Sequence, residues 1–426
     1  MKPRVALILG SAVFAYFVSI IERSSMGVAS LAATERFQVG AATLSTLTVA
    51  QLAVYAAMQI PTGMMLDRFG ARRLIILGSL TTGIGNLLVA FSPVFGFAVF
   101  GRMIVGFGDA FVFVSMIRLI NGWVGGPRAT RLTQLFANLG QLGQIASAVP
   151  FAYLLGLVGW TPAFTTIAAL ALVAASVGIL ALKDEPKPSV DISDGPGTIA
   201  QLRQNFKDPM VRKAFWVHFT LQSSGSVFIL LWGYPFLVRA EGLDKTVASL
   251  LLGSFVFIGF LVGPVLSHIC VRHPARRNRL VTAVFSIIVS AWLLILFWPG
   301  ANPLWQIIYL VLAVGIGGPA SMVAFDYSRT SIPKNRLGSS NGIINSGGFV
   351  ATFICMLLVG LALDFIRSNR LVGDSGLYSL DAFKLAFPVQ LLVISFGLGM
   401  FYRERRLVLL SHKRHQGIEV DSSSLH

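Results

Sequence analysis

Twelve apolar blocks run along the 426 residues of this chain, and they leave little choice of fold. They lie at roughly 5–31, 43–66, 74–93, 96–124, 131–157, 161–182, 214–238, 246–271, 280–299, 303–327, 338–363 and 383–402. An apolar helix of about 20 residues spans the hydrocarbon of a bilayer, and only helices or closed barrels satisfy their backbone there. The blocks are too long for barrel strands and do not alternate, so an all-α integral membrane protein is predicted. Charged residues make up only 12% of the chain, against about a quarter in soluble proteins. The first block follows Lys2 and Arg4 and has the look of a signal peptide. Its apolar run is too long for one, and Glu22-Arg23 occupies the place of a small-residue cleavage site, so it reads as an uncleaved helix.

A net charge of +16 invites a nucleic-acid reading until the charges are placed on the topology. With the amino terminus inside, all but eight of the 34 Lys and Arg fall on cytoplasmic loops, tails and adjoining helix ends. The exceptions are Arg23, Arg36, Arg102, Arg239, Lys245, Arg367, Arg370 and Lys384. That asymmetry follows the positive-inside rule, and puts both termini in the cytoplasm of a multi-pass protein of the plasma (inner) membrane. The basic excess is then topogenic, and no nucleic-acid partner is expected. Cys270 and Cys355 both fall in predicted helices and say nothing of redox compartment.

The longest polar stretch, Lys183 to Lys213, splits the helices six and six and reads as a cytoplasmic linker. The expected organisation is a bundle over 1–182, a linker over 183–213, a second bundle over 214–402 and a tail over 403–426. Within the linker, Ile199–Lys207 suits a short interfacial helix. The halves echo one another. Gly63-(x)4-Arg68-(x)3-Arg72 recurs as Gly263-(x)4-His268-(x)3-Arg272, with Ser267 in the place of Asp67. Gly106-Phe-Gly108 matches Gly315-Ile-Gly317, and Asn138-Leu-Gly140 matches Asn345-Ser-Gly347. Three pairs in the same order suggest a duplicated six-helix unit of the parallel kind found in transporters.

The densest pattern is Gly63-Met-Met-Leu-Asp67-Arg68-Phe-Gly70-Ala-Arg72-Arg73, a charged turn between two spans. Gly63 would let helices approach closely and Gly70 permits a tight turn. Asp67 lies near a helix end, where it can face the positive amino terminus of another helix. Arg68, Arg72 and Arg73 can lock onto carboxylates or the lipid surface. The segment resembles the signature loop between the second and third helices of the major facilitator superfamily, G-x-x-x-D-R-x-G-r-R. That resemblance implies twelve helices in two pseudo-symmetric bundles, a secondary transporter, and a latch in which Asp67 and Arg68 close the cytoplasmic side without touching substrate.

Ionisable groups inside the membrane mark functional sites by default. The first block contains Tyr16-Phe17-(x)4-Glu22-Arg23-(x)5-Ala29. It is similar to the aromatic-(x)n-Asp-Arg pattern of first helices in the organic-anion symporter branch of the superfamily, with Glu for Asp. The resemblance implies that Arg23 faces the central cavity and pairs with an anionic group, a task suited to a forked guanidinium. Arg23 also lies about 28 Å of helix beyond Arg4, so snorkelling to the far interface stays open. The fourth block reads Gly101-Arg102-(x)3-Gly106-Phe-Gly108-Asp109, like the superfamily's R-x-x-x-G-x-G with an acid appended. Asp109 falls near mid-membrane, where burial disfavours the charged form and suits a proton carrier. Arg102, two turns earlier on the same face, could stabilise its ionised form. A structural pair of Asp109 with Arg102 or Arg23 is the alternative.

Gln141 and Gln144 in the fifth block, and His218 and Gln222 on one face of the seventh, are candidate cavity-lining groups. His218 and Arg118 could equally sit at the inner interface. Trp232 and Tyr234 read as outer-belt aromatics, and Asp326 with Arg329 as a gate-side pair. The fifth block lacks the G-P-x-x-G-G core of antiporters, which weakens drug efflux. There is no P-loop, no metal-ligand spacing, no catalytic constellation and no cofactor signature. The expectation is therefore a monomeric, proton-coupled transporter taking up a small organic anion. Arg23, Gln141 and Gln222 would bind it, Asp109, Glu22 and Arg102 would handle the proton, and Gly63, Asp67, Arg68, Gly70 and Arg72 would gate. Proton-antiport efflux, or a membrane enzyme or receptor-like protein, are the rivals.

Overall fold

The computed structural model describes residues 3–124, 126–184, 198–333, 336–373 and 376–415. Among them twelve helices are long and apolar enough to cross a membrane. In the first half these are α1 (Pro3–Phe37), α2 (Ala41–Gln59, its helix continuing to Phe69), α3 (Ala71–Ala90), α4 (Phe95–Trp123), α5 (Arg131–Val158) and α6 (Trp160–Ala181). The second half has α7 (Pro209–Ala240), α8 (Lys245–Arg272), α9 (Pro274–Phe297), α10 (Leu304–Ser331), α11 (Ser339–Ser368) and α12 (Leu380–Leu410). An even number of spans brings both chain ends to one face, here called the termini face; the opposite one is the far face.

Helix ends depart from the sequence expectation where charges sit inside a helical turn. α7 begins at Pro209 rather than Ala214, because Asp208 caps it. The Asp208 carboxylate accepts the backbone N–H of Met210 at 2.9 Å, and proline takes the first helical position. The first turn therefore carries Arg212 and Lys213, which hydropathy alone assigns to the linker. A linker helix does form, over Thr198–Lys207. Asn205 ties it to the second half, donating to Ser339 Oγ at 2.7 Å and accepting from Arg336 Nε at 2.8 Å.

The echo between the halves has a structural counterpart. A side chain added at Gly140 of α5 would collide with the Tyr16 ring of α1, and one at Gly347 of α11 with Phe215 of α7. In each half, a glycine on the fifth helix lets an aromatic of the first helix approach its backbone, the usual use of small residues between membrane helices. Two bundles built this way form the pseudo-symmetric fold.

Trp232 corrects the outer-belt expectation. It is fully buried, with Nε1 donating to the Met356 carbonyl at 3.0 Å, and Tyr234 is buried too. Widened π turns at Phe228–Trp232 and Phe236–Ala240 rotate this end of α7. Trp232 consequently faces the rings of Tyr378 and Phe383 instead of lipid.

Candidate functional site

Arg23 and Asp109 meet between α1 and α4. The guanidinium grips the carboxylate with both prongs, Nε to Oδ2 at 2.6 Å and Nη2 to Oδ1 at 2.9 Å. Ser19, one turn before Arg23, donates its hydroxyl to the same Oδ1. On its other side the Arg23 guanidinium lies 4.4 Å from the ring centre of Tyr55 on α2, a cation–π placement. Tyr55 in turn packs on Phe349 of α11 in the second half, ring centres 5.1 Å apart. The Asp109 side chain is 1% exposed and that of Arg23 14%. Arg23 is therefore held inside the protein, and snorkelling does not describe it.

Glu22, one residue away, points into the first bundle and is buried. Asn86 of α3 donates to its Oε1 at 2.8 Å. Glu22 makes no ion pair among the described residues. Arg102 was expected to serve Asp109, and its hydrogen bonds go elsewhere. Nη1 donates to the Glu22 carbonyl at 3.2 Å and to Ser25 Oγ at 3.3 Å; Nη2 donates to the Arg23 carbonyl at 3.4 Å and to Gln51 Oε1. The reason is geometric. Seven residues is two turns along α4, about 10 Å, so Arg102 reaches the next turns of α1 while Asp109 faces Ser19 and Arg23. Fully buried, Arg102 positions the α1 backbone that carries the Glu22–Arg23 pair.

Gln141 on α5 donates to the Tyr16 hydroxyl at 3.3 Å, which places it beside the same segment of α1. Gln222 stays within the second half. Its amide donates to Ser226 Oγ at 3.0 Å and its carbonyl accepts from Ser321 Oγ at 3.0 Å. His218, one turn back, is buried rather than interfacial: Nδ1 accepts the Gly348 backbone N–H at 3.1 Å, and the ring meets Phe325 edge-on. Sequence reasoning missed Ser19, Tyr55, Gln51 and Asn86. The first was findable, four residues before Arg23 on one helical face. The others lie on different helices, and nothing in their spacing links them to Arg23.

The halves are clasped across the far face. Asp364 of α11 accepts the backbone N–H groups of Ala41 and Ala42 at 2.8 and 2.9 Å, capping the positive end of α2 from the opposite half. Arg239 pairs with Glu35 at 2.7 Å, and Thr34 and Tyr378 share a hydrogen bond of 2.8 Å.

The loop at 63–73 behaves differently. Gly70 adopts φ +79° at the turn between α2 and α3, as expected of a glycine. The Asp184 carboxylate accepts the backbone N–H of Arg72 at 2.8 Å, and Arg72 Nη2 donates to the Ile179 carbonyl at 3.0 Å, both within the first half. Arg68 lies exposed over Phe69. The side chain of Asp67 lies outside the described residues. A Cβ at Gly63 would meet nothing within 4 Å, so close helix approach does not explain that glycine in this conformation. Among the described residues Arg68, Arg72 and Arg73 make no hydrogen bond or ion pair to the second half; the Asp67 half of the expected latch lies outside the described residues.

Two six-helix bundles clasped at one face, with an ion pair buried beside their interface, are the architecture of a secondary transporter. The family model of the Major Facilitator Superfamily matches residues 12–356, and the chain belongs to that family of transporters. Over 194 residues it is 30% identical to the Probable sulfoacetate transporter SauU of Cupriavidus necator, a match spanning 44% of this chain and 44% of that relative. It is 22% identical over 389 residues to the Probable galactarate/D-glucarate transporter GarP of Escherichia coli, covering 82% of this chain and 86% of that one. A solved bacterial homolog of the human lysosomal transporter Spinster, inward-facing and unoccupied, shares the fold with a TM-score of 0.74 and 16% identity over 95% of this chain and 98% of that one.

Proposed function

We propose that the protein takes up a small organic anion together with a proton by alternating access, as a monomer in the plasma membrane with both termini in the cytoplasm. The observation that carries this reading is the bidentate Arg23–Asp109 pair. A guanidinium already gripping a carboxylate has the geometry to grip another, and the two cannot occupy the same fork. Protonation of Asp109 removes the competing charge and frees Arg23 for the carboxylate or sulfonate of the substrate. Return of the ionised Asp109 to Arg23 expels it. Proton and anion are thereby coupled by competition for one fork.

Tyr55 stands beside Arg23 on the first half, Gln141 on the Tyr16 hydroxyl two turns earlier on α1, and Gln222 offers an amide from the second, so a bound anion would draw the halves together. Glu22, buried without an ion pair, is the second acid able to carry a proton, and Arg102 holds the α1 backbone that carries Glu22 and Arg23. Residues 1–182 and the bundle that follows the linker are the two bodies that rock against each other. With the termini face on the cytoplasm, the present conformation opens inward. Closing it requires Gly63, Asp67, Arg68, Gly70 and Arg72 to approach the second half. The names of the relatives, transporters of sulfoacetate and of galactarate and D-glucarate, support an acidic substrate.

The test is proteoliposomes under an inward pH gradient, offered radiolabelled D-glucarate, galactarate and sulfoacetate. Accumulation of at least one of them, collapsing when a protonophore is added, is expected. Expulsion of lipophilic dyes with no anion accumulated would assign the chain to antiport efflux instead.

A further inference from the structure

Away from the interface between the halves, α9 and α12 pack against α7, α10 and α11 of their own bundle. Where α9 begins and α12 ends, at the termini face, they frame a cavity of about 710 Å³. Arg276, Arg279 and Arg405 line it together with Asn278, Thr282 and Tyr402, and Ala283 and Ser286 form its deeper wall. None of the three arginines makes an ion pair among the described residues. Of the carboxylates on the adjoining helices, Glu404 pairs with Arg212 at 2.9 Å and Asp326 with Arg329 at 3.5 Å.

The polar groups are organised as a wall. Tyr402 and Thr282 share a hydrogen bond of 2.5 Å, and Tyr327 donates to Asn278 Oδ1 at 2.5 Å. Behind them Lys213 is buried with Nζ 3.9 Å from the Tyr327 ring centre. Arg277, also buried, donates to the carbonyls of Cys270 and Asp326. Two further cations thus stand behind a rim that already carries three, and the positive end of α9 opens into the same space. Such a site wants an anion, and arginine forks suit phosphate.

We propose that this cavity holds the headgroup of an anionic phospholipid. Its depth decides against a free phosphate. From Ala275 to Ser286 the wall follows eleven residues of α9, about 16 Å, whereas the interfacial layer on each side of the hydrocarbon is only about 5–8 Å thick. The upper, basic part therefore lies at headgroup depth, and the lower part, past Thr282, lies among acyl chains. Ile287 and Leu294 further down α9 are exposed apolar side chains. Basic pockets between membrane helices that open to lipid are the usual form of headgroup sites.

Native mass spectrometry of the full chain, delipidated and offered phosphatidylglycerol or phosphatidylcholine, tests the assignment. One phosphatidylglycerol should be retained at collision energies that strip phosphatidylcholine. Arg279→Gln with Arg405→Gln should lower its affinity by about thirtyfold, while Arg279→Lys with Arg405→Lys keeps most of it. If the glutamine variant does not elute as monodisperse protein, Ala283→Trp, which fills the exposed lower wall, must reduce retention instead. Equal retention of both lipids, or of phosphatidylglycerol by wild type and the glutamine variant, would overturn the proposal. So would displacement of the lipid by an equal concentration of inorganic phosphate, which would make this a site for soluble anions.

Discussion

Asp109→Asn tests the competition for Arg23 most directly. The substitution keeps the size of the side chain and an oxygen that can accept from Arg23 and Ser19, but removes the charge. Two charges in contact near a protein surface attract by about 4 kcal/mol at an effective dielectric of 20, which is nearly three decades in affinity. An anion arriving at Arg23 must overcome that attraction whenever Asp109 is ionised, and none of it when Asp109 is protonated. Affinity in the wild type should therefore fall as pH rises, by up to about a thousandfold.

In the asparagine variant the same curve should be flat, near the tight end at every pH. Equilibrium binding of the best-accumulated anion, measured on purified protein between pH 5 and 9, reads this out. Transport gives a second reading. With one proton per anion, a gradient of one pH unit sustains about tenfold accumulation, and the variant should accumulate nothing while still exchanging labelled for unlabelled anion. Leaving Arg23 without its counter-charge costs about 3 kcal/mol of stability, so monodisperse elution must be checked first. A folded variant whose binding keeps the wild-type pH slope would refute the competition. Loss of exchange together with accumulation would give the pair a structural role.

Arg23→Lys should weaken anion binding at least about tenfold at low pH, because an ammonium replaces two charge-assisted hydrogen bonds with a point charge; unchanged affinity would remove Arg23 from the site. Gly63→Leu should leave folding and elution as in wild type, since nothing stands near that position in this conformation. Overpacking of the closed termini face should slow turnover by about tenfold or more, and wild-type turnover would show that the loop does not approach the second half. On the far face, burial pushes the Glu241 carboxyl above its usual range, against two hydrogen bonds donated by Asn302. A raised folded value means the stabilisation is present at low pH and lost as pH rises through it. The thermal stability of wild type relative to Glu241→Gln should therefore fall between pH 4 and 8, and a constant difference would contradict the assignment.

How much of this was legible beforehand differs by element. The helices were, because a bilayer demands long apolar runs with internally satisfied backbones, and boundary errors arose where Asp208-Pro209 starts a helix inside a polar stretch. Arg23 and Asp109 stood out because charges in apolar surroundings are rare. Their pairing could not be chosen, since Arg102 shares the Asp109 face in sequence and only the crossing of α1 and α4 assigns Arg102 to Glu22, Ser25 and Gln51. Spacing from the helix end allows Trp232 an interfacial place and leaves His218 open between cavity and interface; packing of Trp232 against Met356, and of His218 against Gly348 and Phe325, puts both inside.

Periodicity and charge bias by themselves determined that this chain crosses the membrane many times, in two related halves, with a charged loop after the second span. They could do so because hydropathy and glycine spacing are local properties of the chain. Which arginine meets which acid, that the halves are clasped by Asp364 and Arg239 on one face, and that three arginines converge on one cavity between α9 and α12 are decided only by the fold. Each depends on side chains from separate helices arriving within a few ångströms, and no pattern along one helix carries that distance.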